Sequence, residues 1–148
     1  MSTPAVIAAK RLCEQSGWTL SNLELQKLLY LAHMAYLGRT GRPLILESFE
    51  AWDLGPVVPT LYHRAKAFGS SPVQNVFHHV SSDLEPSKAS AIDEVFHATR
   101  GLTPGRLVAI THWDQGAWAK NYSPRARGRI IPNSDIRDEY IARVGHAA

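Results

Sequence analysis

The segment that most constrains the fold is an apolar stretch between Ser21 and Leu37. Ser21 and Glu24 have the spacing of a capping box and predict a helix start, while Gly38 predicts its end, giving a helix over about 22–37. At 1.5 Å per residue this helix is roughly 25 Å long, enough to cross a small domain. Only a narrow strip of its surface is polar, and such a helix is normally buried. We therefore expect the rest of the chain to pack around it.

Capping residues, the positions of proline and glycine, and apolar periodicity predict further helices before and after the central one. Their expected ranges are 4–16 (capped by Thr3), 56–68, 86–99, 103–111, a short turn or helix around Trp118, and one from Ser134 that buries Ile136, Tyr140, Ile141 and Val144. Short strands are expected at 49–54 and 130–131, and 72–80 is compatible with a hairpin strand or an ordered loop. The prediction is a mainly α, compact single domain over 1–148, with about six helices around the central helix and a minor antiparallel β element.

Composition narrows the class of protein. The 148 residues suffice for one core, and 45% hydrophobic with 20% charged residues is ordinary for a globular domain. We expect no secretory signal and no membrane span. Cys13 is the single cysteine, which excludes an intramolecular disulfide, speaks against a cysteine-based zinc site and suggests a cytoplasmic protein. The net charge of +3 suits an acidic partner as well as a nucleic acid.

A catalytic or metal site is not predicted. Seven histidines are present, but they form no recognised metal or hydrolase motif. His112 with Asp114 could be a base and its orienting group, although structurally hydrogen-bonded histidines are more common. Cys13 is expected to be a small core residue rather than a nucleophile. We therefore expect no catalytic residues, no metal and no cofactor.

Two tryptophans and three arginines are candidates for contact with a partner. Trp52 and Trp118 flank turns, where a tryptophan is either a core anchor or a binding hot spot. Arg125, Arg127 and Arg129 alternate, so in an extended conformation they would share one face and could meet phosphates or carboxylates. The alternative is that this arginine segment is only solvated.

Lys27 lies within the apolar arc of the central helix, where an ammonium group is costly unless it is paired or reaches water. Glu50 and Asp53 are the candidate ion-pair partners because they flank the turn at Trp52. The equally acceptable alternative is that the Lys27 side chain extends to solvent.

Four sequence pieces, taken in order, resemble the Panacea antitoxin domain family, which includes SocA-like and phage-associated GepA-like proteins. The first, Leu25-Gln26-Lys27-Leu28-Leu29-Tyr30, is similar to the family's central helix. The second, Ala51-Trp52-x-x-Gly55-Pro56-Val57, is similar to its most recognisable motif. The third piece runs from Leu107 through Thr111-His112 to Ala117-Trp118, and the fourth is Ile131 followed by Ile136 and Tyr140. Ala117 departs from the pattern, in which a proline directly precedes the tryptophan.

The resemblance implies a helical domain that neutralises a cognate protein toxin by direct contact, and we expect the toxin to be encoded beside it. Trp52, Asp53, Gly55 and Pro56 at the motif, with Trp118 and the three arginines, are the candidate contact residues. Leu25, Lys27, Leu28, Tyr30, Val57 and His112 are expected to be structural. The alternatives left open are an adaptor that delivers the toxin to a protease, a nucleic-acid-binding regulator and, least favoured, a histidine-dependent hydrolase.

Overall fold

The structure, a computed structural model, describes residues 3–74 and 76–147, with side chains described as far as Gly145. Over this part it is mainly helical, as predicted, with a small antiparallel sheet. The helices are α1 (Ala5–Ser16), α2 (Asn22–Thr40), α3 (Pro59–Ala65), α4 (Pro86–Ala98), α5 (Pro104–Thr111), α6 (Ala117–Asn121) and α7 (Asn133–Ala147), with a 3₁₀ helix at Lys66–Phe68. The strands are β1 (Phe49–Trp52), β2 (Gly55–Val57) and β3 (Arg129–Ile131).

Helix α2 is the central helix, as the sequence predicts. Its capping box is formed, with the Ser21 hydroxyl accepting from the Glu24 amide and the Glu24 carboxylate accepting from the Ser21 amide. Every residue from Leu25 to Leu37 is buried. Helices α1, α3, α4, α5 and α7 and strand β2 all contact it. Because all sides of α2 are covered, the hydrophobic core is built around this one helix.

Helix α2 ends one turn later than predicted, at Thr40 with Gly41 in the left-handed conformation. Gly38 does not end it, because this glycine serves a packing contact instead. A Cβ built on Gly38 would lie 2.2 Å from the Tyr140 ring on α7. The missing side chain is what allows α2 and α7 to approach closely.

The sheet has the strand order β2-β1-β3, and both pairings are antiparallel. Glu50 lies opposite Val57 in one neighbour and Ile130 in the other. The prediction that Pro56 begins the third helix is wrong, because residues 55–57 form strand β2 and the helix starts at Pro59. A proline is tolerated there because β2 is an edge strand of the sheet.

Two smaller expectations fail, and a third point is decided between its two alternatives. Thr3 does not cap α1, since it bridges to Ile45 and its hydroxyl accepts from Lys88. Ile141 and Val144 are 55% and 49% exposed rather than buried, because α7 contacts the domain through its other side. The described part of the 72–80 segment contains no strand and is loop, which was one of the two alternatives; Asn75 lies outside the described residues.

No helix in the part of the chain that the structure describes is both long enough and apolar enough to span a membrane.

The Gly38 contact predicts a stability loss for Gly38→Ala. Alanine is the better helix former, but its methyl group would overlap the base of the Tyr140 ring, so we expect a net destabilisation of about 1–3 kcal/mol. Gly145→Ala on α7 is the control, since a Cβ there meets nothing within 4 Å and should be neutral or stabilising. Urea unfolding measures both; equal effects would refute the packing role of Gly38.

Candidate partner-binding groove

The motif residues around Trp52 and Trp118 meet in space at the turn between β1 and β2. Residues 53–54 form this turn, and α5 and α6 lie behind it. The Trp118 indole donates from Nε1 to the Trp52 carbonyl oxygen at 2.7 Å. Thus two pieces of sequence separated by 66 residues form one structural unit.

The strands on the two sides of the turn are each held through a backbone carbonyl by a different side chain. The Trp118 indole holds the carbonyl of Trp52, and the Lys27 ammonium donates to the Pro56 carbonyl at 3.1 Å. These side chains come from α6 and from α2. Because unpaired buried backbone groups are costly, this arrangement fixes the conformation of the turn.

Lys27 is fully buried, so neither alternative from the sequence is correct. Its side chain does not reach solvent, and no carboxylate of the described residues lies within 4.0 Å of its ammonium nitrogen. Burial lowers the pKa of Lys27 to about 7. The side chain therefore carries its proton on only part of the molecules at neutral pH, which reduces the cost of burying it.

Gly55 is required by this arrangement. Its φ is +113°, and a Cβ there would lie 2.9 Å from the Lys27 nitrogen and 3.2 Å from the Thr111 hydroxyl. Gly55 and Pro56, both candidate contact residues, are buried because Lys27 and Thr111 pack beneath them. They shape the turn from inside the protein rather than presenting surface.

His112, Trp118 and Tyr122 form a column of stacked rings behind the turn. The His112 and Trp118 rings are parallel within 2° with centroids 3.9 Å apart, and Tyr122 follows at 4.6 Å. The Tyr122 hydroxyl donates to the Asp53 carboxylate at 2.6 Å, which raises the pKa of Tyr122. Trp118 thus has a packing role, and Asp53 is held at the surface end of the column.

The chemistry of His112 is that of a structural residue. Burial and, to a lesser extent, the charge of Lys27 lower its pKa, so the imidazole is neutral at pH 7. Asp114, which the sequence offered as the group that orients His112, makes no hydrogen bond to it among the described residues. The His112 ring packs on Trp118, and its Nε2 atom is buried without a hydrogen-bond partner. Cys13 is buried too, and burial raises the pKa of its thiol to about 12. Across residues 3–74 and 76–147, no cluster of three metal-ligating side chains is formed.

A groove of about 770 Å³ lies on the outer face of the sheet, beside the turn. Its apolar lining comes from α2, the sheet, the turn and α3, through Leu23, Trp52, Leu54, Val57 and Tyr62. Charged groups also line it, namely Lys27, Glu50, Asp53, Lys66 and Arg127. Trp52 is half-buried there, with its ring edge-on to Tyr62 at 5.0 Å. Trp52 therefore belongs to a concave surface as well as to the packing of the turn.

The three arginines do not share an extended face. Residues 124–128 form turns, and only Arg129 lies in a strand. Arg127 comes within 3.8 Å of Asp53, but its side chain is 88% exposed, so this pair contributes little to stability. Arg125 and Arg129 are exposed outside the groove lining. Of the three, only Arg127 lies at the groove.

Sequence reasoning missed Glu139, which organises the support behind the groove. This buried carboxylate accepts from the Tyr30 hydroxyl at 2.6 Å, the Ala117 amide at 2.9 Å and the Arg143 guanidinium at 2.7 Å. The i,i+4 spacing of Glu139 and Arg143 is the one signal that could have indicated it. A proline at 117 could not donate this hydrogen bond, so Ala117 gives α6 an anchor that the expected residue lacks.

The fold and the groove define a helical domain with a surface groove. One wall of the groove is a β-turn whose flanking strands are held by hydrogen bonds from Trp118 and Lys27. The model of the family described as "Antitoxin SocA-like, Panacea domain" matches residues 25–119, which includes the central helix, the turn and Trp118. The chain belongs to this family.

One curated relative supports the same assignment. Over 109 residues the chain is 35% identical to Antitoxin SocA of Caulobacter vibrioides (strain NA1000 / CB15N). The alignment covers 67% of this chain and 58% of that protein, so the match spans little more than half of the relative's length. No solved structure matches the chain.

Burial of Lys27 predicts a specific pH dependence of stability. The unfolded lysine keeps its proton up to about pH 10.5, whereas the folded one releases it near pH 7. The folded state therefore binds fewer protons in this window, and its stability rises with pH by at most about 1.4 kcal/mol per unit. We expect the stability of the wild type to rise from pH 7 to 9.5 relative to Lys27→Met.

Urea unfolding at several pH values measures this difference. Lys120→Met, which removes an exposed lysine, is the control and should leave the pH dependence unchanged. A constant gap between wild type and Lys27→Met would show that the buried group does not titrate in this range.

The Trp118 hydrogen bond predicts a second effect. Trp118→Phe retains an aromatic ring in the column but leaves the Trp52 carbonyl without its donor, so we expect a loss of about 1–3 kcal/mol. Tyr122→Phe removes a hydroxyl whose bond is exposed, and should cost less than about 1 kcal/mol. Denaturant unfolding measures the stability of both variants. A smaller loss of stability for Trp118→Phe than for Tyr122→Phe would contradict the role of the Trp118 hydrogen bond.

Proposed function

We propose that this protein is an antitoxin that neutralises a cognate protein toxin by direct, non-enzymatic contact. Membership of the antitoxin SocA-like family is the observation that carries the proposal. The encounter is assigned to the cytoplasm, because a lone reduced cysteine is typical of that compartment. The toxin is expected to be the product of an adjacent gene.

The contact surface in this proposal is the groove with the turn beside it. Leu54 stands at the tip of the turn and is 59% exposed, although leucine is usually buried. Next to it, Trp52 offers a large aromatic surface in a concave setting, which is the usual environment of a binding hot spot. The hydrogen bonds behind the turn hold both residues in place before any partner binds, and such preorganisation lowers the entropic cost of association.

Co-expression is the direct test of the antitoxin role. The adjacent gene product is produced in cells with and without this chain, and a tag on the chain is used for purification. Rescue of growth together with co-purification supports neutralisation by contact. Absence of both toxicity and a co-purifying partner would reject the proposal.

Two exposed leucines test the location of the contact. Leu54 lines the groove and Leu46 does not, yet both are strongly exposed, at 59% and 69%. Leu54→Asp is expected to abolish rescue and co-purification, because a charge replaces apolar surface at the contact. Leu46→Asp should rescue as the wild type does.

Both variants should fold, since neither side chain is in the core. Circular dichroism and the melting temperature verify this before binding is compared. Equal rescue by the two variants would place the toxin contact elsewhere.

A further inference from the structure

The two carboxylates that line the groove are already engaged. Glu50 accepts from the Trp52 indole at 3.0 Å. Asp53 accepts from the Tyr122 hydroxyl and lies 3.8 Å from Arg127. Both therefore have donors supplied by the protein itself.

The two lysines that line the groove have no partner of opposite charge in the part of the chain that the structure describes. Within the described residues, no carboxylate lies within 4.0 Å of the ammonium of Lys27 or of Lys66. Lys27 is buried in the groove wall and donates to one acceptor, the Pro56 carbonyl, although an ammonium has three donors. Lys66 is exposed at the end of α3, on the rim. Lys66 is thus an exposed cation without a carboxylate partner among the described residues, next to the apolar lining of the groove.

We propose that the groove receives a segment of the toxin that carries a carboxylate next to an apolar side chain. The inference rests on the proposed function and adds the chemistry of the partner. The apolar side chain packs between Leu23, Trp52 and Val57, and the carboxylate lies beside Lys66. An apolar wall lowers the local dielectric, so the attraction between these charges is stronger than on an open surface.

The carboxylate belongs to an Asp or Glu side chain or to the end of the toxin chain. Both sources have the same chemistry, and a toxin shortened at its C-terminus separates them. Sensitivity to Lys66 persists in the shortened toxin if a side chain supplies the charge, and disappears if the terminus does.

Charge reversal in the groove is the test. Lys66→Glu removes the positive rim charge and repels a carboxylate. Leu23→Glu places a negative charge on the apolar wall, and an acidic residue in the first turn of α2 is compatible with the helix. Lys120→Glu is the matched control, because it makes the same charge change on an exposed lysine of α6 outside the groove lining. The dissociation constant is measured with the co-purified product of the adjacent gene.

Lys66→Glu and Leu23→Glu are each expected to weaken binding by at least about tenfold, the range of a lost interfacial charge pair. Lys66→Arg should restore near wild-type affinity, and Lys120→Glu should stay within about twofold. Unchanged or tighter binding by folded Lys66→Glu would overturn the inference, and tighter binding would indicate a basic segment instead.

The two proposals fail separately. If the wild type binds no adjacent product, the antitoxin proposal fails. If the wild type binds and neutralises but the groove variants do so equally well, only the present inference fails.

Discussion

The hydrogen bond between the Lys27 ammonium and the Pro56 carbonyl is the contact on which the rest of the site depends. It places a polar group inside the most apolar part of the chain, at a cost that is reduced by the lowered pKa of the lysine. At position 55 the φ of +113° favours glycine, and a Cβ would lie 2.9 Å from the Lys27 nitrogen. The glycine at position 55 is therefore explained by its backbone conformation and by what lies beneath it.

This contact also links the core to the surface. Helix α2 is covered on all sides and cannot shift without disturbing the whole domain. Lys27 connects α2 to strand β2 through the Pro56 carbonyl, and Trp118 holds strand β1 through the Trp52 carbonyl. A surface turn that is hydrogen-bonded to the core in this way keeps one conformation. A binding surface that includes it is therefore preorganised.

The parts of the structure that could be predicted from sequence are those set by local signals. The capping box at Ser21 and the apolar residues on all sides of α2 can be recognised within a few helical turns of sequence. The structure confirms both. Strand β2 was missed because a proline after glycine is as typical of a helix start as of an edge strand.

Long-range contacts explain the remaining errors. Gly38 has the appearance of a helix end, and its packing against Tyr140 is invisible without the position of α7. Glu139 and Tyr30 are 109 residues apart, so no local pattern joins them. At the site, Trp52 and Asp53 were anticipated as candidate contacts from the resemblance. Leu23, Tyr62 and Lys66 were not, since the groove exists only once α2, α3 and the sheet are assembled.

The central claim is that the groove beside the turn at residues 53–54 is the binding surface. Hydrogen–deuterium exchange tests it, measured on the chain alone and on its complex with the co-purified toxin. The account predicts new protection in 22–27, 50–57 and 62–70, with α1 and α4 unchanged. Protection confined to α1 and α4, with the groove segments exchanging as in the free protein, would contradict it.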